Sequence, residues 1–124
     1  MIYLDTNVVL WLAGSHGQLS DHVRETINNA QHLLLSPMVE LEIEYLYEVG
    51  RIQAGAPHVL SHLRSALDLR LCDHAFSAVV AAAREIKWTR DPFDRLITAQ
   101  ASVGEDTLLT RDKIIRANYA HAEW

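Results

Sequence analysis

Short, mostly apolar runs at 2–5, 33–35, 69–72 and 107–110 are separated from one another by stretches of helical length. Runs this short and this apolar read as strands buried on both faces of a sheet. Strands that alternate with helices pair in parallel, because a parallel connection needs a long crossover rather than a tight turn. The order along the chain is strand 2–5, helix 7–13, helix 20–30, strand 33–35, helix 37–49, helix 57–67, strand 69–72, helix 75–85, helix 92–102, strand 107–110, helix 112–118 and a last strand near 121–124. Ser20-Asp21, Ser36-Pro37 and Asp91-Pro92 mark helix starts, the last two with proline at the first helical position. The expected fold is an α/β, three-layer α/β/α sandwich with a central, mainly parallel sheet, one domain spanning 1–124.

With 124 residues and 49% hydrophobic content, such a domain can bury a real core. The single cysteine, Cys72, excludes an internal disulfide and a cysteine-rich zinc site, and is most simply core. No apolar run approaches the roughly 20 residues needed to span a membrane. The opening apolar segment lacks a basic flank and contains Asp5, which argues against a secretion signal; the cytoplasm is the expected location. A net charge of −5 opposes nucleic-acid binding at first sight. Yet seven of the eleven basic residues lie from Arg84 onward, so a basic rim around an acidic centre is compatible with the composition.

Acids stand where a charge is costly. Asp5 closes Ile2-Tyr3-Leu4 and is followed by Thr6, Asn7 and the helical stretch Val8 to Ala13. A buried strand that ends in a carboxylate and turns into a helix puts that charge at the carboxyl edge of the sheet, where open α/β sheets bind ligands. It could equally cap the helix. On helix 37–49, Glu40, Glu44 and Glu48 stack as a solvated stripe, with Met38, Val39, Leu41, Ile43, Leu46 and Val49 spread around the opposite side. Glu42 falls in the middle of the apolar side, where a carboxylate needs a metal, a catalytic task or a salt bridge to a buried arginine. Asp94 opens a helix whose stripe is Phe93, Leu96, Ile97 and Ala101; Asp91 already caps that helix, although any acid there suits the helix dipole. Asp112 follows the strand Thr107–Thr110 and is explained as an N-cap, and Thr110 either orients a ligand or simply ends the strand. In a parallel sheet, strand ends and helix starts can share one crevice. Four carboxylates gathered there repel one another unless a cation lies among them, so a metal site is expected.

Other motifs carry less. His58 and His62 lie one turn apart, but without a following Glu they read as a solvated helix face. The chain has no Gly-x-Gly-x-x-Gly and no phosphate loop ending in Gly-Lys, which disfavours nucleotide-cofactor chemistry. Tyr45, Tyr47, Leu60 and Leu63 are more apolar surface than one sheet is expected to cover, pointing to a homodimer.

The strings Met1-Ile2-Tyr3-Leu4-Asp5-Thr6-Asn7, Leu35-Ser36-Pro37 with Glu42-Ile43, Arg90-Asp91-Pro92-Phe93-Asp94-Arg95-Leu96-Ile97 with Ala99-Gln100, and Leu108-Leu109-Thr110-Arg111-Asp112 resemble PIN-domain ribonucleases, and more narrowly the VapC toxins of bacterial toxin–antitoxin pairs. The resemblance runs the length of the chain. It implies a Mg²⁺- or Mn²⁺-dependent endoribonuclease that inhibits translation and growth. Asp5, Glu42, Asp94 and Asp112 match the acidic quartet, Asp94 rather than Asp91 being the acid of the Asp-Pro-Phe-Asp element. Thr6, Asn7 and Thr110 match supporting polar positions. A VapB-type antitoxin is the implied partner, with DNA contacted only through it.

Hard oxygen ligands select Mg²⁺ or Mn²⁺ over zinc. Asp5 and Asp112 are expected as direct ligands, Asp94 as a direct or water-mediated one, and Glu42 on a second ion or on the attacking water. Arg95 and Arg111 flank the acids and are candidates for RNA phosphates. A haloacid-dehalogenase-like phosphatase also starts with an Asp after its first strand, but wants a second Asp where Asn7 stands. A catalytically silent PIN fold, kept for RNA or protein binding, is the remaining alternative.

Overall fold

The computed structural model describes residues 1–124. Its elements are β1 (Ile2–Leu4), α1 (Thr6–Gly14), a 3₁₀ turn (His16–Gln18), α2 (Asp21–Asn29), β2 (Leu33–Leu35), α3 (Pro37–Glu48), α4 (Ala56–Ala66), β3 (Leu69–Leu71), α5 (Phe76–Arg84), α6 (Pro92–Ser102), β4 (Thr107–Leu109), α7 (Lys113–Asn118) and β5 (Ala122–Glu123). All strand pairs are parallel, in the order β3-β2-β1-β4-β5. Tyr3 sits between Leu34 and Leu108 in the central register. The central strands are apolar on both faces: Tyr3, Leu4, Leu33, Leu34, Leu35, Leu108 and Leu109 are all buried. The edge strands are not, since Arg70 and Leu71 of β3 are exposed.

The chain builds outward from β1 to β2 and β3, then returns to add β4 and β5 on the other side. The reversal between β1 and β4 opens a crevice at the carboxyl ends of those two strands, the place where open α/β sheets bind ligands. Helices pack over both faces of the sheet. Val8, Val9, Val23, Ile43, Leu60, Ile97 and Ile115 join the strands in one core. A smaller cluster of Val79, Ala83, Ile86 and Ala99 holds α5 against α6.

Three local expectations are corrected. Leu60 and Leu63 are buried, because α3 and α1 cover α4 where the sheet does not. Glu44 does not simply join a solvated stripe: its Oε1 accepts the amide of Ala56 at 3.0 Å and caps α4, whose own N-cap is the side-chain-less Gly55. On α3, Leu41 and Val49 are exposed, at 55% and 51%, and with Tyr45 they form an outward stripe at four-residue spacing. The face that packs inward is carried by Val39 and Ile43.

Candidate functional site

Two strand ends make the floor of the crevice. The amide of Asp5 donates to the carbonyl of Leu109 at 3.0 Å, tying the end of β1 to the end of β4. The Asp5 carboxylate is fixed from both sides. Its Oδ1 accepts the Thr6 amide at 2.8 Å, capping α1, and its Oδ2 accepts the Thr110 hydroxyl at 2.6 Å. The Thr110 Oγ1 accepts the amide of Asp112 at 3.1 Å, so one hydroxyl aligns two acids that lie far apart in sequence. Asp112 itself caps α7 through Oδ1, which accepts from Ile114 and Ile115.

Helix starts complete the walls. Thr6 donates from Oγ1 to Oε1 of Glu42 at 2.5 Å, linking α1 to α3. Asp94 lies in the first turn of α6, after Asp91 has capped that helix through the amides of Phe93 and Asp94. The two helices are set against each other by a buried contact, Ser36 Oγ donating to Gln100 Oε1 at 2.9 Å, while Ser36 Oγ accepts the amide of Met38. Asp5, Glu42, Asp94 and Asp112 together line one cavity of about 530 Å³, with Thr6 and Asn7 in its wall. The larger neighbouring cavity, about 560 Å³, shares Asn7 and Trp11 and contains His58 and His62, but no carboxylate lines it.

The electrostatics follow from this crowding. Burial raises the pKa of Asp5, against the opposing hydrogen bonds from Thr110 and Thr6, with Asp112 pushing the same way as burial. Burial raises Glu42 too, offset in part by Thr6 and reinforced by Asp5. Asp94 is pushed up to about 7, first by burial and then by Asp91, Asp5, Asp112 and Glu42, with no opposing influence. No basic side chain relieves them: the ion pairs of the chain are Met1–Asp106, His22–Glu123 and Arg70–Asp68. The salt bridge that would explain Glu42 structurally is therefore missing, and its partner is a hydroxyl.

The donor set suits a hard, hydrated divalent ion. It consists of carboxylate and hydroxyl oxygens, and in each of Glu42 and Asp112 the hydrogen bonds to the protein engage only one carboxylate oxygen. No three acidic, histidine or cysteine side chains crowd closely enough to enclose an ion by themselves. Oxygen donors of this kind suit Mg²⁺ or Mn²⁺ better than zinc.

Two arginines join the acids in the wall, together with Trp11 and Leu46. Arg111 stacks 5.8 Å from the centre of the Trp11 ring and donates to Gln18. Arg51 was missed from sequence, although Gly50 at the end of α3 signals the turn that carries it. Arg95 lies elsewhere: its guanidinium donates to the carbonyl of Ala83 at the end of α5, and it lines a separate shallow cavity with Arg84 and Arg90. Cys72 is buried, 3.0 Å from the Tyr3 hydroxyl.

Comparison with known proteins gives the family and the fold. The family model described as PIN domain matches residues 2–120. The chain is 30% identical over 124 residues to Ribonuclease VapC22 of Mycobacterium tuberculosis (strain ATCC 25618 / H37Rv), covering 94% of this chain and 91% of that protein. Among solved structures it is similar in fold to VapBC2 from Rickettsia felis bound to a DNA fragment from their promoter, with a TM-score of 0.71 at 19% identity over 99% of this chain and 98% of that one. DNA-bound VapBC from Salmonella typhimurium gives 0.68 at 18% identity, covering 98% of this chain and 96% of that one.

Proposed function

The chain belongs to the PIN domain family, in its VapC-type branch, and on that premise we propose that it is a Mg²⁺- or Mn²⁺-dependent endoribonuclease toxin. The single observation that carries this reading is the gathering of Asp5, Glu42, Asp94 and Asp112 on one cavity at the sheet's switch point with no ion pair among them. Carboxylates gathered around one partly buried cavity repel one another and take up a cation readily, and a divalent ion relieves the repulsion best. Asp5 and Asp112 would hold the ion directly, Asp94 directly or through water. When bound, it polarises a phosphoryl oxygen and acidifies a water.

The residues divide the remaining work. Thr110 and the Thr6 amide hold Asp5 in one orientation, so its free lone pairs keep a fixed direction. Thr6 anchors one oxygen of Glu42, leaving the other to orient the attacking water or to hold a second ion. Arg111, steadied on Trp11, is the candidate contact for an RNA phosphate. The relative named above is a ribonuclease, which supports RNA as the substrate; in this reading, RNA cleavage that inhibits translation is the route to toxicity. The fold neighbours include VapBC assemblies on DNA, which supports a VapB-type antitoxin as partner, with DNA reached through it. An acidic cavity invites an inhibitor that inserts Arg or Lys, since a guanidinium pairs bidentately with carboxylates.

Purified protein freed of any partner should cut structured RNA in Mg²⁺ or Mn²⁺ and stop when EDTA is added. Cleavage that persists in EDTA, or no cleavage with either ion, would contradict the proposal.

A further inference from the structure

The acid cavity contains two guanidiniums that the carboxylates do not use. Arg51 and Arg111 both line it, yet neither forms an ion pair with any acid within 4.0 Å. In a chain of net charge −5, two positive groups at the rim of a four-acid cavity would ordinarily be drawn into salt bridges. Arg111 is kept from them by its stacking on Trp11 and its bond to Gln18.

Arg51 is held by backbone. Gly50 takes φ +81°, the left-handed conformation that ends a helix. The amide of Arg51 then donates back to the carbonyl of Leu46 at 2.9 Å, and that of Gly50 to Tyr47 at 3.0 Å. This is the Schellman closure of a helix C-terminus, and it fixes where the chain leaves α3. A position after such a glycine commonly packs an apolar side chain back on the helix. Here it carries an exposed arginine on the acid cavity instead. The next three residues, Ile52 to Ala54, turn into the wall of the neighbouring cavity, so Arg51 stands on the ridge between the two.

We infer that Arg51 is a substrate-positioning residue that, with Arg111, holds backbone phosphates of the RNA on either side of the bond to be cut. A guanidinium suits this task, because its planar fork meets phosphate oxygens bidentately and stays charged at any working pH. Two clamps at the rim would offset the repulsion between a polyanion and an acidic cavity, while the carboxylates below remain free. The inference rests on the proposed RNA-cleaving reading of the same cavity.

Steady-state cleavage of a fluorogenic oligoribonucleotide in Mg²⁺, measured across a salt series, tests it. Arg51→Ala should raise KM about tenfold with kcat within about twofold. It should also flatten the plot of log kcat/KM against log salt by about 0.7, the slope of one single-strand phosphate contact. Arg51→Ala with Arg111→Ala should lose about twice that slope, and Arg51→Lys should keep the slope while recovering only part of the KM. A merely structural role for Arg51 would lower the melting temperature and leave the salt slope untouched. Wild-type cleavage with an unchanged KM and slope in Arg51→Ala overturns this inference alone. Absence of cleavage by the wild type overturns the nuclease reading, and this inference with it.

Discussion

Asp94 concentrates the energetic tension of the site in one residue. Its ordinary pKa of 3.8 is pushed up to about 7 by burial and by four neighbouring acids. Between those two values the native chain keeps a proton that the unfolded chain has released. The metal-free protein is therefore most stable below about pH 4 with respect to this group, and loses that contribution as pH rises towards 7. Asp94→Asn, which mimics the neutral form, should melt with the wild type near pH 4 and above it at pH 7.5. The gain should be on the order of 1–2 kcal/mol, allowing for the solvent a half-buried group still sees. Divalent ion should reverse the ranking at pH 7.5, because it stabilises the folded wild type by mass action. Differential scanning calorimetry across that range checks both signs; an Asp94→Asn protein no more stable than wild type at pH 7.5 would contradict them. The sequence sets Asp94 apart because Asp91 already reads as the cap of that helix, and the resemblance chooses the same acid. The structure separates them by task, because Asp91 is exposed and spends Oδ1 on the cap.

At the scale of elements, apolar patterning and caps were readable. Buried strands carry their pattern locally, and Ser20, Ser36, Asp91 and Asp112 cap the helices they were expected to start. What was not legible depends on partners distant in sequence. The 3₁₀ turn at His16–Gln18 has no apolar period to reveal it. Nor does any local pattern say that Gln100 meets Ser36, that Arg95 reaches the end of α5, or that Glu44 caps α4. The last of these separates Glu44 from Glu40 and Glu48, its two companions at four-residue spacing on α3. Glu44→Ala should cost about 1 kcal/mol, the usual loss of a cap. Glu40→Ala and Glu48→Ala should change stability by no more than about 0.5 kcal/mol, as surface substitutions do. Urea denaturation of the three variants distinguishes a cap from a solvated stripe, and equal effects would favour the stripe.

The whole molecule presents an outward stripe of Leu41, Tyr45 and Val49, with the Phe93 ring 5.9 Å from that of Tyr45. No helix is long and apolar enough to cross a membrane. An exposed apolar stripe on a helix is more often an interface than bare surface, and two-fold pairing is the commonest outcome. We therefore expect a homodimer: light scattering should give about twice the 14.0 kDa chain mass, and Tyr45→Glu should lower it, whereas a wild-type monomer at tens of micromolar would contradict it. The central claim, however, concerns chemistry at the switch point, and Asp5 probes it most directly. Asn at that position keeps its one oxygen for the Thr6 amide and turns its NH2 to the Thr110 hydroxyl oxygen, so the fold should survive while the charge is lost. The decisive measurement is the single-turnover rate of RNA cleavage by Asp5→Asn in saturating Mn²⁺, with the fold verified by circular dichroism. The account predicts a loss of at least about a hundredfold, since metal catalysis supplies several kcal/mol of barrier lowering; a folded variant that cleaves at the wild-type rate would contradict it.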